Sequence, residues 1–258
     1  MAAPRLVRTE AVVLRRHDLG EADRIITLYT ASAGKLCAIA KGVRRPTSRL
    51  GGHLELFTRC QVMLARGRNL DLITQVETVD PHLGIREDLW RAGLAYYAAE
   101  TLDRLTEDRG DNPPSYELLV QTLNRIATSR RPNHALHYFL VRLLGTLGYR
   151  PELQQCVHCR RELQPIENGF SPLTGGALCA DCRPLDPAAR RLSVTALKVM
   201  RLYQSGDWDT AERLRIVPAL ADEIEEALRG YVQHIAESKL KSAGFVATLR
   251  DEGLAGKV

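Results

Sequence analysis

No long apolar run occurs in this sequence: the longest clean stretch, residues 93–99, has seven residues, where a membrane span needs ~18. The first residues do not read as a secretion signal, because Arg5, Arg8 and Glu10 interrupt them and the apolar stretch 11–14 is too short. A cytoplasmic protein without a membrane is expected. Glycine and proline together make 31 of 258 residues, too few for a collagen-like or low-complexity chain, and 45% hydrophobic residues exclude a disordered one. Catalytic signatures are missing as well: there is no Walker A sequence, no G-x-S-x-G, no H-E-x-x-H and no dinucleotide fingerprint. His53-Leu-Glu55 matches one half of a zinc-deaminase pattern, but the P-C-x-x-C half fails, since Gln155 precedes Cys156 and Leu178 precedes Cys179. Neither enzymatic activity nor a small-molecule substrate is expected.

Acid is absent where base is dense. Between Arg24 and Leu54 there is no Asp or Glu, while Arg24, Lys35, Lys41, Arg44, Arg45 and Arg49 all lie there. The net charge of +5 is carried by residues 1–83, with 13 Lys+Arg against 8 Asp+Glu; the rest has 23 of each. Such local excess reads as a surface for a polyanion, the alternative being an ordinary solvated face.

The same third of the chain reads as five short strands, 10–15, 24–29, 35–43, 56–64 and 70–79, rich in Val, Ile, Leu and Thr and separated by turn residues. Five strands without a helix-length segment suggest a small closed barrel, best matched by the OB-fold. After Asp80-Pro81 the period becomes helical, giving segments at 86–109, after the linker 112–115 with Ser115 as N-cap, after Asn133 up to Gly148, after the cap Ser193, and over 219–241. The expected architecture is α+β: an OB barrel over 1–82, then a helical domain over 83–258 interrupted by a zinc ribbon at about 152–186.

That ribbon rests on Cys156-Val-His-Cys159, nineteen residues, and Cys179-Ala-Asp-Cys182. Two C-x-x-C knuckles at this spacing suit one tetrahedral Zn2+ with four thiolates. Four protein ligands leave no position for water, so the metal is expected to be structural. His158 reads as an exposed loop residue, the segment 169–176 as the hairpin of the ribbon, and Cys37 and Cys60 as small core residues.

An OB barrel binds single strands with a basic groove and aromatic platforms. The basic half is present in Lys35, Lys41, Arg44, Arg45 and Arg49, with Arg66 and Arg68 in a turn and Arg5, Arg8, Arg15 and Arg16 extending the patch. Aromatics are scarce: the first 83 residues hold only Tyr29 and Phe57. Phosphate-dominated, sequence-tolerant binding is expected. A second reading is a zinc-ribbon regulatory protein whose barrel binds RNA or an acidic protein.

Ala11-Val-Val-Leu14, Asp18-Leu-Gly-Glu-Ala-Asp-Arg24, Thr27-Leu-Tyr-Thr30, Gly34-Lys35, Ala40-Lys-Gly-Val-Arg-Arg45 and Ser48-Arg-Leu-Gly-Gly52 together resemble the RecO family of bacterial recombination mediators. The resemblance extends through the helical region, the four-cysteine insertion and Lys239-Leu-Lys241-Ser242. It implies a protein of DNA repair and recombination, associated with the nucleoid, that binds single- and double-stranded DNA and anneals complementary strands. It further implies work with RecR to load RecA onto strands coated by single-strand binding protein (SSB), and contact with the C-terminal tail of SSB. By motif, Lys35, Lys41, Arg44, Arg45 and Arg49 face DNA, and Cys156, Cys159, Cys179 and Cys182 hold zinc.

Overall fold

The computed structural model describes residues 6–254; Arg5 lies outside the described residues. Five strands, β1 (Leu6–Leu19), β2 (Asp23–Thr30), β3 (Gly34–Ala40), β4 (Arg59–Ala65) and β5 (Asp71–Asp80), close into a barrel in the order β1-β2-β3-β5-β4. All pairings are antiparallel except β3 with β5, which gives the OB topology. Alternation sets the faces: Gly34, Leu36, Ala38 and Ala40 of β3 and Cys60, Val62 and Leu64 of β4 point inward. Lys35, Cys37 and Ile39 take the outer face, so Cys60 is a core residue and Cys37 is not. β1 runs well beyond the expected 10–15 because a register shift between Val13 and Arg15 bends it. Its first half thereby pairs with β4 and its second with β2.

The chain forms two compact units, residues up to 91 together with 106–127, and residues 92–105 together with 128 onward. The barrel unit thus includes α1 (Leu83–Arg86), the start of α2 (Leu89–Leu105) and nearly all of α3 (Pro113–Thr128). Polar contacts hold α3 to the barrel. Tyr116 Oη donates to Glu10 Oε2 at 3.1 Å, where Arg59 also binds, and His82 lies 2.7 Å from both the Phe57 carbonyl and the Asn124 side chain. Gly34, at φ +60, faces the Gly110 carbonyl, whose oxygen would stand 2.0 Å from any Cβ. The helical segment expected to reach 109 stops at Leu105, because 108–110 bond to β3: Arg109 N–H donates to the Lys35 carbonyl at 2.7 Å. Asn112, rather than Ser115, caps α3, accepting the Ser115 N–H at 3.1 Å.

In the second unit α4 (Pro132–Thr146) is buried along most of its length and packs against α5 (Val194–Ser205), α6 (Trp208–Glu212) and α7 (Pro218–Ile235). A last helix, α8 (Lys241–Asp251), covers α2, where Gly93 admits Leu249 and Val246. The helix expected over 219–241 stops at Ile235, past which Glu237 adopts φ +49, and α8 begins where the expected helix was to end. The ribbon carries β6 (Asn168–Ser171) and β7 (Gly176–Leu178), the expected hairpin, and a third strand, β8 (Arg190–Leu192), in the order β7-β6-β8. No helix of the described residues is long and apolar enough to cross a membrane.

Candidate nucleic-acid interface and metal centre

Barrel topology brings two loops together and sets a third apart. Lys41, Arg44 and Arg45 occupy the turns after β3, against the β1–β2 turn: Arg44 donates through its backbone N–H to the Ala22 carbonyl at 3.0 Å and through its side chain to the Gly20 carbonyl at 3.2 Å. The β4–β5 loop with Arg66 and Arg68 precedes the parallel pairing of Ala38 with Asp71 and Ile39 with Leu72, so it lies toward the start of β3, where Ala65 also meets Leu6 at the start of β1. Buried Asp71 anchors that loop, accepting from Gly67 N–H at 3.2 Å and pairing with Arg109 at 2.9 Å.

The candidate cations are not equivalent. Lys35 is mostly covered, with Nζ 3.7 Å from Asp108. Arg16 pairs with Glu55 at 2.5 Å, and Arg44 shares Asp18 with Arg24, at 3.5 and 2.7 Å. The hydrogen bond from Arg24 holds the Asp18 carboxyl below the usual carboxylate range. Arg15 is exposed on the second half of β1. Lys41, Arg45, Arg49, Arg66 and Arg68 are exposed and have no carboxylate partner among the described residues. Lys41 and Arg45 belong to the connection after β3, Arg66 and Arg68 to the β4–β5 loop, and Arg49 lines a groove that Arg8 also lines. Tyr29 and Phe57 are both buried, so neither offers a platform for a base.

The ribbon brings the four cysteines together, each sulfur within 4.8 Å of the others. Four sulfurs ~2.3 Å from a central ion stand about 3.8 Å apart, and Cys159 Sγ lies 3.8 Å from Cys179 Sγ. The cluster fits zinc. His158 is exposed and outside it. Each knuckle is shaped by its own backbone: Arg160 N–H donates to the Cys156 carbonyl at 2.9 Å, with Arg160 at φ +62, and Arg183 N–H to the Cys179 carbonyl at 2.9 Å. Burial opposes ionisation of Cys156, yet the N–H groups of Cys159, Cys179 and His158 lower its pKa on balance. The Arg161 side chain draws Cys159 down to about 6, whereas burial pushes Cys182 up to about 12.

Reading the sequence passed over Arg161. Its Nε donates to Cys159 Sγ at 3.4 Å and its Nη2 to Asp181 at 2.9 Å, so it straps one knuckle to the other. The available signal was a base two residues past one knuckle and an acid inside the other. Nothing in linear spacing joins them.

An OB barrel with exposed cations on its loops, followed by a helical body with a four-cysteine ribbon, defines an OB-fold protein with an insertion fit to hold a metal. Residues 1–82 match the family model described as Recombination protein O N terminal, and residues 86–243 the one described as Recombination protein O C terminal. The DNA repair protein RecO of Roseiflexus sp. (strain RS-1) is 43% identical over 246 residues, covering 95% of this chain and 87% of that one. That of Dehalococcoides mccartyi (strain BAV1) is 36% identical over 250 residues, 97% of this chain and 98% of that one, and that of Symbiobacterium thermophilum 38% over 248, 95% and 98%. The chain belongs to the RecO family, and its role lies in DNA repair, which implies interaction with DNA.

Proposed function

We propose that the protein is a non-enzymatic recombination mediator that binds single- and double-stranded DNA, anneals complementary strands and, with RecR, helps load RecA onto SSB-coated single strands. The observation that carries the DNA contact is the sorting of charge on the barrel. Lys41, Arg45, Arg66 and Arg68 stand exposed on loops of the barrel without a carboxylate partner among the described residues, and the barrel's own Tyr29 and Phe57 are buried. Cations without platforms contact phosphate and carry no base preference, which suits a protein that must handle any sequence. Their neutralising charge lowers the repulsion between two strands, and pairing of the bases then proceeds on its own energetics. Arg15, Arg16, Lys35 and Arg44 complete this contact set; Arg49, a candidate by motif, lines the groove over β1, β4 and β5 instead. Lys35, Arg16 and Arg44 would exchange a carboxylate for a phosphate on binding. One structural zinc, held by Cys156, Cys159, Cys179 and Cys182, would fix the ribbon. Contacts with RecR and with the acidic C-terminal tail of SSB rest on family membership, as does a place in the cytoplasm at the nucleoid.

Annealing of two complementary fluorescent strands at low salt tests this reading. The protein should accelerate it, and replacing Lys41, Arg45, Arg66 and Arg68 by Ala should weaken binding of all sequences alike. With about four phosphates neutralised, affinity for a single strand falls about 50-fold between 50 and 200 mM salt. No acceleration by the wild-type protein, or affinity indifferent to salt, would remove the basis of the proposal.

A further inference from the structure

A groove on the far side of the barrel calls for a role of its own. It has a volume of about 510 Å³ and runs across the outer faces of β1, β4 and β5. β4 pairs with β1 and β5 and shares no edge with β2 or β3. Arg8 of β1 stands at one margin, opposite Met63 in the register, and Arg49, carried over by the connection between β3 and β4, stands at another. That connection is tied down there by His53, whose Nδ1 lies 2.8 Å from the Thr78 hydroxyl of β5. Both arginines are exposed and have no carboxylate partner among the described residues, although Glu77 lines the same groove. Between them the surface offers Gln61, Gln75 and Thr74, which can donate and accept, and the thioether of Met63.

We propose that this groove is a second track for a single nucleic-acid strand, separate from the one on the β1–β2 and β3–β4 loops. The inference deepens the annealing function proposed above and rests on it. Two guanidinium groups at the margins of a shallow channel suit successive phosphodiesters. Amide side chains along the floor suit the edges of unpaired bases without fixing their identity, because they offer donors and acceptors together. A barrel with one strand on its loops and a second across β4 would hold both partners of an annealing reaction on a single protein molecule. Leu50, Val62, Met63 and Val76 also line the groove, so capture of an acidic peptide with apolar side chains is the competing outcome that the test separates.

The test uses the full chain, short oligonucleotides substituted with 5-iodouracil, and two sets of variants, Arg8→Glu with Arg49→Glu, and Gln75→Glu alone; all changed positions are exposed. Irradiation followed by peptide mass spectrometry should place cross-links at residues 61–63 and 74–77 as well as on the loops. Strands bound per protein should fall from two to one in the double variant, with annealing about tenfold slower and the salt slope of the remaining track unaltered. Gln75→Glu should give a smaller loss in the same direction. Cross-links confined to the loops, or a double variant that anneals like the wild type, would overturn the second track. So would displacement of an acidic peptide, rather than a strand, as the only effect of filling the groove. A wild-type protein that anneals nothing would instead reject the function proposed above, while the cross-links and stoichiometry would still decide the groove.

Discussion

Arg161 is the side chain on which a metal in the ribbon should depend most, after the cysteines. Its guanidinium joins Cys159 to Asp181 across the two knuckles and brings positive charge to a centre that four thiolates would make strongly negative. Partners that orient ligands typically matter 10- to 100-fold in metal affinity. In the zinc-loaded protein, Arg161→Met should release metal to a chromophoric chelator about tenfold faster, with Arg161→Lys intermediate. A release rate equal to wild type would show the strap to be idle. In the helical unit, acid lability should come from two buried groups. Burial, with His137 and Arg131 nearby, lowers the His134 pKa to about 4. The folded protein then keeps this ring neutral while the unfolded chain protonates it near ~6.5, so stability should fall by about 3 kcal/mol as pH drops from ~6.5 through 4. Glu225 is buried, which disfavours its charge, yet His137 and Arg250 hold it ionised down to about 2. Its contribution is present above the unfolded carboxyl pKa and is lost as pH falls from ~4.5 through 2. Urea unfolding at a series of pH values checks both windows: His134→Gln should flatten the upper one only, and an unchanged slope there would reject the assignment.

Among the elements, the ribbon stands apart because local chemistry holds it. Its three short strands are mostly buried but bring few large apolar side chains, Phe170 against Tyr231 at 6.0 Å among them, while α4 is enclosed by three other helices. Chelation of the metal should therefore loosen about 152–192 and leave the helical far-ultraviolet signal and the barrel in place. Hydrogen exchange before and after chelation gives the comparison, and cooperative loss of the whole fold would contradict it. The elements also show where sequence reading stopped. All five barrel strands were legible from Val, Ile, Leu and Thr runs between turn residues, although β1 and β2 bury both faces at their centres and do not alternate there. The ends were not. Asn112 competes with Ser115 as a cap, and only the docked helix decides between them. The break between α7 and α8 carries neither Gly nor Pro at Glu237, so periodicity ran through it. The strand β8 is three residues long, too short to show a period.

For the whole molecule, family membership assigns a role in DNA repair, and the charge map carries the proposal that the barrel meets phosphate. The metal ligands were legible because two knuckles state their pairing locally, four residues at a time. Clustered cations were legible as a charge excess, but their value was not. Lys35, first among the candidates by motif, is largely covered beside Asp108, and Asp108 belongs to a segment that returns to the barrel after α2. A carboxylate 73 positions away in the chain is invisible to any local count. The unit holding the barrel likewise includes 106–127, because Tyr116 and Asn124 find partners in Glu10 and His82. The sequence by itself determined the barrel strands, the four-sulfur cluster and the seat of the positive charge, all of which follow from alternation, spacing and composition over a few residues. Only the tertiary structure decided which cations stay free, which side of the barrel each one faces and where the barrel unit ends, since those depend on ion pairs and hydrogen bonds between residues far apart in the chain.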